Sequence, residues 1–177
     1  MRRQQSGFTI IELVVVIILL GIMAATALPR FMDVTTEAHA SKVQGVQGGL
    51  ASGSALFHAQ WVAKGQLAAG SDIGWDNTLL TNATGYPCGT ACTTVVDAVA
   101  DCTAIFSNLL QAGAPSLGEA ANVAGVVAQT NDFTVVLNGT TCDYYYTGEK
   151  SASADVVPLL SYASATGDLA RTDPTLP

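Results

Sequence analysis

The residues of this 177-residue chain whose types and spacing could do chemistry are a Gly7-Phe8 bond, the carboxylate of Glu12 one helical turn beyond it, and four cysteines, Cys88, Cys92, Cys102 and Cys142. Glu12 is the sole ionisable side chain between Phe8 and Pro29. The run it sits in has about 20 residues, enough to cross a hydrocarbon core as a helix. An acid there costs roughly 2 to 3 kcal/mol and marks function rather than anchoring alone. The cysteines can close disulfides in three pairings or supply thiolates to a metal. Zinc is disfavoured, because Cys88-x3-Cys92 lacks a second pair of similarly tight spacing.

The order of the N-terminal pieces limits how Gly7 and Glu12 are used. A secretory signal carries its small-residue cleavage site after the apolar core. Here Arg2, Arg3, Gln4, Gln5, Ser6 and Gly7 all precede that core. A plain signal anchor explains the length and the basic flank but not Glu12, unless its carboxylate snorkels to the interface.

The pattern Gly7-Phe8-Thr9-Ile10-Ile11-Glu12-Leu13, with the apolar segment that follows, resembles the processing site of type IV prepilins. The resemblance implies that a prepilin peptidase cuts between Gly7 and Phe8 on the cytoplasmic side and that the new Phe8 amine is N-methylated. Residues 1–7 are then a removed leader, and loss of Arg2 and Arg3 takes the formal charge from −7 to −9. The helix stays in the bacterial inner membrane until the pilus assembly machinery builds it into an extracellular homopolymer. Glu12 matches the acid that pairs with the terminal amine of a neighbouring subunit. A charge pair in a low-dielectric setting favours one axial register, since an unpaired partner there is costly.

The remaining chain must position that segment. Residues 8–29 form the transmembrane and assembly helix, and Pro29, where pilins often carry a proline, marks a kink at its exit. Over 30–64 the apolar residues Phe31, Val34, Ala38, Val43, Val46, Leu50, Phe57 and Trp61 recur mostly at three-, four- or seven-residue steps. That spacing predicts an amphipathic continuation of the helix, with Gly65 as its C-cap. Gly45, Gly48, Gly49 and Gly53 interrupt it, each at about 1 kcal/mol relative to alanine. Close packing or local melting on assembly would account for them, as would a weak helix held by tertiary contacts.

Residues 65–177 suffice for one compact head domain. Residues 65–93 read as an irregular loop with Trp75 and Tyr86-Pro87 as packing points. A short helix is predicted over 95–110, ended by Gly113 and Pro115. Residues 132–137 and 142–146 read as a hairpin about Asn138-Gly139. A further strand over 156–162, a turn over 165–168 and a returning strand over 169–171 complete the pattern. The fold class is therefore α+β, a long N-terminal helix with an antiparallel sheet on its C-terminal half, which is also what the resemblance to type IV pilins implies. Cys102 with Cys142 would tie the short helix to a strand, like the disulfide-bounded C-terminal region of pilins. Cys88 with Cys92 would close a small loop that departs from the simplest two-cysteine pattern.

Other chemistry is weakly represented. No nucleophile motif, phosphate loop or metal-protease helix occurs, so no enzyme, cofactor or metal is expected. A sequence pI near 4.4 disfavours a general nucleic-acid surface. His39 and His58 read as packing or solvated helix residues. Asp72, Asp76 and Asp97 lack a calcium-loop pattern. Asn82-Ala83-Thr84 and Asn138-Gly139-Thr140 match a glycosylation acceptor pattern but carry no modification claim. Pro29-Arg30-Phe31, the segment 40–45, Asp101-Cys102 and the stretch from Leu160-Ser161-Tyr162 through Ala165-Thr166-Gly167 look like mannose-sensitive haemagglutinin pilins. That resemblance implies a major pilin whose filament attaches to surfaces or host glycans and supports biofilm formation. The competing expectations are a type II secretion pseudopilin or minor pilin, and a membrane-anchored binding module that never polymerises.

Overall fold

The structure, a computed structural model of the chain, describes residues 8–75, 78–91, 94–148 and 157–173, with the backbone alone described at 30–36. It divides into two units, Met1–Ala40 and Ser41–Pro177. Helix α1, Ile10–Ala63, contributes to both. In the first unit it carries the apolar run and continues through Pro29, where the backbone ladder lacks a donor because proline has no N–H. Ala38, predicted on the apolar face, is exposed.

In the second unit α1 buries Val43, Val46, Leu50, Ser54, Phe57 and Trp61, a set recurring at three- and four-residue steps that forms one face. Its end is a Schellman motif: Gly65 N–H donates to the Val62 carbonyl and Gln66 N–H to the Trp61 carbonyl, both at 3.0 Å. Gly65 adopts φ +86° there, a conformation glycine takes without Cβ strain. The helix glycines divide into two kinds. A Cβ on Gly53 would stand 3.0 Å from Leu109 Cβ, and one on Gly49 would stand 2.5 Å from Leu110 Cδ2, whereas Gly45 and Gly48 face open space.

Those leucines belong to α2, Val99–Leu110, which begins later than the predicted residue 95 and passes into a 3-10 turn at Gln111–Gly113. It buries Asp101, Cys102, Ile105, Phe106 and Leu109. The predicted loop over 65–93 contains a small antiparallel pair, β1 (Leu80–Thr81) with β2 (Pro87–Gly89). Two- and three-residue strands are too short to leave a periodic signature.

The main sheet runs in the order β3 (Leu117–Glu119), β4 (Phe133–Asn138), β5 (Thr141–Tyr146), β6 (Leu159–Ala163), β7 (Asp168–Thr172). It is mixed rather than wholly antiparallel, because β3 pairs parallel to β4 in the register Leu117↔Phe133. Parallel neighbours need a long crossover, supplied here by the chain between Glu119 and Phe133, which includes a 3-10 segment at Val123–Ala128. Other boundaries shift slightly. Asn138 pairs with Thr141, so Gly139 and Thr140 form the hairpin turn rather than Asn138 and Gly139. Gly139, at φ +63°, takes the first central position, where a type II′ turn calls for glycine. Strand β6 starts at Leu159, and Val156 of the predicted strand lies outside the described residues. Asp168, predicted as turn, opens β7.

One sheet face carries Phe133, Val135, Cys142, Tyr144, Tyr146, Leu160 and Tyr162 against α1 and α2 in the main core. The other carries Val136 and Tyr145 beneath Val126 of the 3-10 segment. Both faces of β4 and β5 are thus covered, and their central residues are buried without alternation.

Candidate assembly segment and processing site

The segment begins with a local capping arrangement. Thr9 precedes the first helical residue, and its N–H and hydroxyl both donate to Glu12 Oε2, at 2.9 and 2.7 Å. Glu12 N–H approaches Thr9 Oγ1 in return at 3.4 Å. This is the reciprocal geometry of a capping box, in which side chains at the N-cap and third helical positions satisfy donors left over at a helix start. Glu12 is therefore a helix-start residue as well as an acid in an apolar run. Thr9 was missed as a site residue, although the Thr9-x-x-Glu12 spacing before an apolar stretch is a readable signal. Gly7 lies outside the described residues, while Phe8 is 91 % exposed.

Beyond the cap, Ile10–Pro29 is the one helical segment among the described residues long and apolar enough to cross a membrane, with mean hydropathy 2.7 and none of it buried within the chain. Its internal polar group is self-satisfied. Thr26 Oγ1 donates to the Met23 carbonyl at 3.0 Å, so the hydroxyl needs no partner from outside the helix. All-round apolar exposure of this kind requires a non-aqueous surrounding, either lipid or other protein.

The head unit holds the cysteines. Cys102 of α2 and Cys142 of β5 form a disulfide with Cα atoms 5.5 Å apart. Cys88 is also disulfide-bonded, and Cys92, with which spacing would pair it, lies outside the described residues. Next to Cys88, Gly89 at φ +114° lets the backbone approach Asp101, whose Oδ1 accepts the Thr90 N–H at 3.0 Å. Asp101 is 2 % exposed and braces this turn from the first turn of α2.

The remaining candidates are structural. His58 stacks on Tyr86 with ring centroids 4.5 Å apart, and its Nδ1 lies 3.3 Å from the Gly85 carbonyl oxygen. Asp72 Oδ1 accepts the Gly74 N–H at 2.6 Å, Asp97 is exposed, and Asp76 lies outside the described residues. Among the described residues no group of three or more His, Cys, Asp or Glu could hold a metal. Asn82 is buried, its Oδ1 accepting from Thr84 and Tyr86 and its Nδ2 donating to the Ser164 carbonyl, so it locks a turn. Asn138 is exposed and donates to Asp143.

Comparison with known proteins bears on the N-terminal segment. Residues 2–28 match the prokaryotic N-terminal methylation motif. The chain is 42 % identical over 60 residues to the type IV narrow pilus major component PilA5 of Thermus thermophilus, covering 34 % of this chain and 50 % of that protein. It is 38 % identical over 78 residues to fimbrial protein Q of Moraxella bovis, covering 42 % and 50 %. It is 48 % identical over 44 residues to the type II secretion system core protein G of Pseudomonas aeruginosa, covering 25 % and 31 %. These matches span half or less of the relatives' lengths. No solved structure matches the chain.

Proposed function

We propose that this chain, which belongs by its N-terminal segment to the family of type IV pilins and pseudopilins, is the major structural subunit of a surface filament. The observation that carries this reading is an N-terminal methylation segment leading straight into a capped apolar helix with none of its length buried in its own chain. Residues 1–7 are cleaved as a leader between Gly7 and Phe8 by a prepilin peptidase, and Phe8 is N-methylated. Residues 8–29 are stored in the inner membrane and then buried among other copies in an extracellular pilus. Pro29 is the kink, residues 30–64 are the amphipathic half of the helix, and residues 65–177 are the head. Glu12 uses Oε2 to cap its own helix, and Oε1 receives the amine of a neighbouring copy, which sets the register of the polymer.

The finer assignment is to a pilin similar to the mannose-sensitive haemagglutinin group, whose filament attaches to surfaces or host glycans and supports biofilm formation. The likeness to secretion protein G supports a second reading, a pseudopilin that remains with the envelope. Mass spectrometry of proteins sheared from the cell surface separates the two. A filament made mainly of this chain, beginning at N-methylated Phe8, is expected. Retention in the envelope would favour the pseudopilin, and intact Met1 in purified filaments would overturn the maturation scheme. Glu12→Ala is expected to be cleaved normally yet incorporated poorly, so wild-type piliation of that variant would remove the register role.

A further inference from the structure

We infer that Lys42 and Asp132 form a latch that controls local opening of α1 over residues 41–49, separately from unfolding of the head. Lys42 stands in the first turn of the part of α1 that belongs to the Ser41–Pro177 unit, and its Nζ donates to Asp132 Oδ1 at 2.5 Å. Asp132 is a junction rather than an isolated surface acid. Its Oδ2 accepts the Ser116 N–H and hydroxyl at 3.2 and 2.9 Å, and its own N–H donates to Ser116 Oγ at 2.9 Å. Its carbonyl accepts the Thr147 and Gly148 N–H groups at 2.8 and 3.1 Å. Asp132 thus holds the entry to the parallel β3–β4 pair and the helix through its carboxylate, and the exit of β5 through its backbone carbonyl.

The helix it grips is weak at that point. Gly45, Gly48 and Gly49 fall within two turns of Lys42, and each lowers helix stability relative to alanine. Over 41–49 only Val43 and Val46 are buried on the core face, whereas the later part of α1 is fastened by Leu50, Phe57 and Trp61. Lys42–Asp132 is an ion pair between this part of α1 and the head. Segments with few buried contacts open independently of the global transition, and here a charge pair at the edge sets how readily opening starts. Both partners are about one third exposed, 40 % and 32 %, so the latch is weak and salt-sensitive.

The inference concerns the head unit and holds whether or not the chain polymerises. It is tested by amide hydrogen exchange on the full chain in detergent micelles. Lys42→Gln leaves the Asp132–Ser116 bonds in place and is expected to accelerate exchange over 43–49 about two- to fivefold, with residues 54–63 and strands β5 and β6 unchanged. Lys42→Arg, which keeps the charge and leaves the Asp132–Ser116 bonds in place, is expected to retain slow exchange. Equal acceleration across 43–63 and the sheet would mean general destabilisation and would overturn the latch, as would no change over 43–49.

Discussion

The Tyr144 phenol donates to the Cys102 carbonyl at 2.8 Å, and Cys102 is itself bonded covalently to Cys142, two residues before Tyr144 on β5. Helix α2 is therefore fastened to one strand twice, by a disulfide and by a buried hydrogen bond. The two ties differ in kind. The disulfide closes a sequence separation of 40 and acts largely by restricting the unfolded chain. The hydrogen bond satisfies the buried Tyr144 hydroxyl.

Tyr144→Phe is expected to cost about 1 kcal/mol by removing that buried hydrogen bond, since the Cys102 carbonyl keeps its partner four residues on in α2. Replacing both Cys102 and Cys142 by serine is expected to cost more, about 4 kcal/mol in the chain-entropy treatment. Urea unfolding of the two variants, each under oxidising and reducing conditions, gives the comparison. Reduction should weaken Tyr144→Phe but leave the Cys102/Cys142 variant nearly unchanged, apart from any contribution of the Cys88 disulfide.

Burial, with a smaller contribution from Tyr162, pushes the Tyr144 hydroxyl well above the ordinary phenol range, and burial likewise pushes Tyr162 up. A raised folded-state value means that the native state holds protons the unfolded chain has released. Stability is therefore complete below about pH 10, the unfolded tyrosine value, and declines as pH rises beyond it. Tyr144→Phe and Tyr162→Phe should each flatten that alkaline limb in a thermal-melt series.

The acid limb has the opposite sign. The hydrogen bond from Lys42 holds the Asp132 carboxyl below its usual range; burial opposes it, and the bonds from Ser116 add to the lowering. Its contribution is present above about pH 4, the unfolded aspartate value, and is lost as pH falls through the lower folded value. Lys42→Gln should reduce this acid sensitivity, read from unfolding midpoints at closely spaced pH values.

The helix glycines give opposite expectations at neighbouring positions. Gly45→Ala and Gly48→Ala meet nothing within 4 Å and should stabilise by up to about 1 kcal/mol. Gly53→Ala brings its Cβ to 3.2 Å from the Leu109 carbonyl oxygen as well as against Leu109 Cβ, and should destabilise. Gly49→Ala meets only the flexible end of Leu110 and should fall between. Urea midpoints in micelles order the four.

Much of the architecture was legible because it is written in local periodicity. The face Val43, Val46, Leu50, Phe57, Trp61 and the cap at Gly65 appear in the structure as the spacing implied. The β4–β5 hairpin was legible to within one residue of its turn. Strand β3 was not, because three residues carry no period and their pairing partner lies beyond a crossover. At the N-terminus Glu12 stood out by its charge, whereas Thr9 was missed as its partner although the spacing of the two is a capping signal.

The sequence alone determined the order of basic N-terminal stretch, apolar segment and α+β head, since each follows from composition and repeat along neighbouring residues. Tertiary structure decided which pieces meet. It placed Gly49 and Gly53 against α2 while leaving Gly45 and Gly48 open, set β3 parallel to β4, and brought Lys42 to Asp132 across 90 residues. These outcomes depend on distances between segments remote in the chain, which hydrophobic periodicity does not encode. Spacing predicts the face a residue occupies, and packing selects its neighbour.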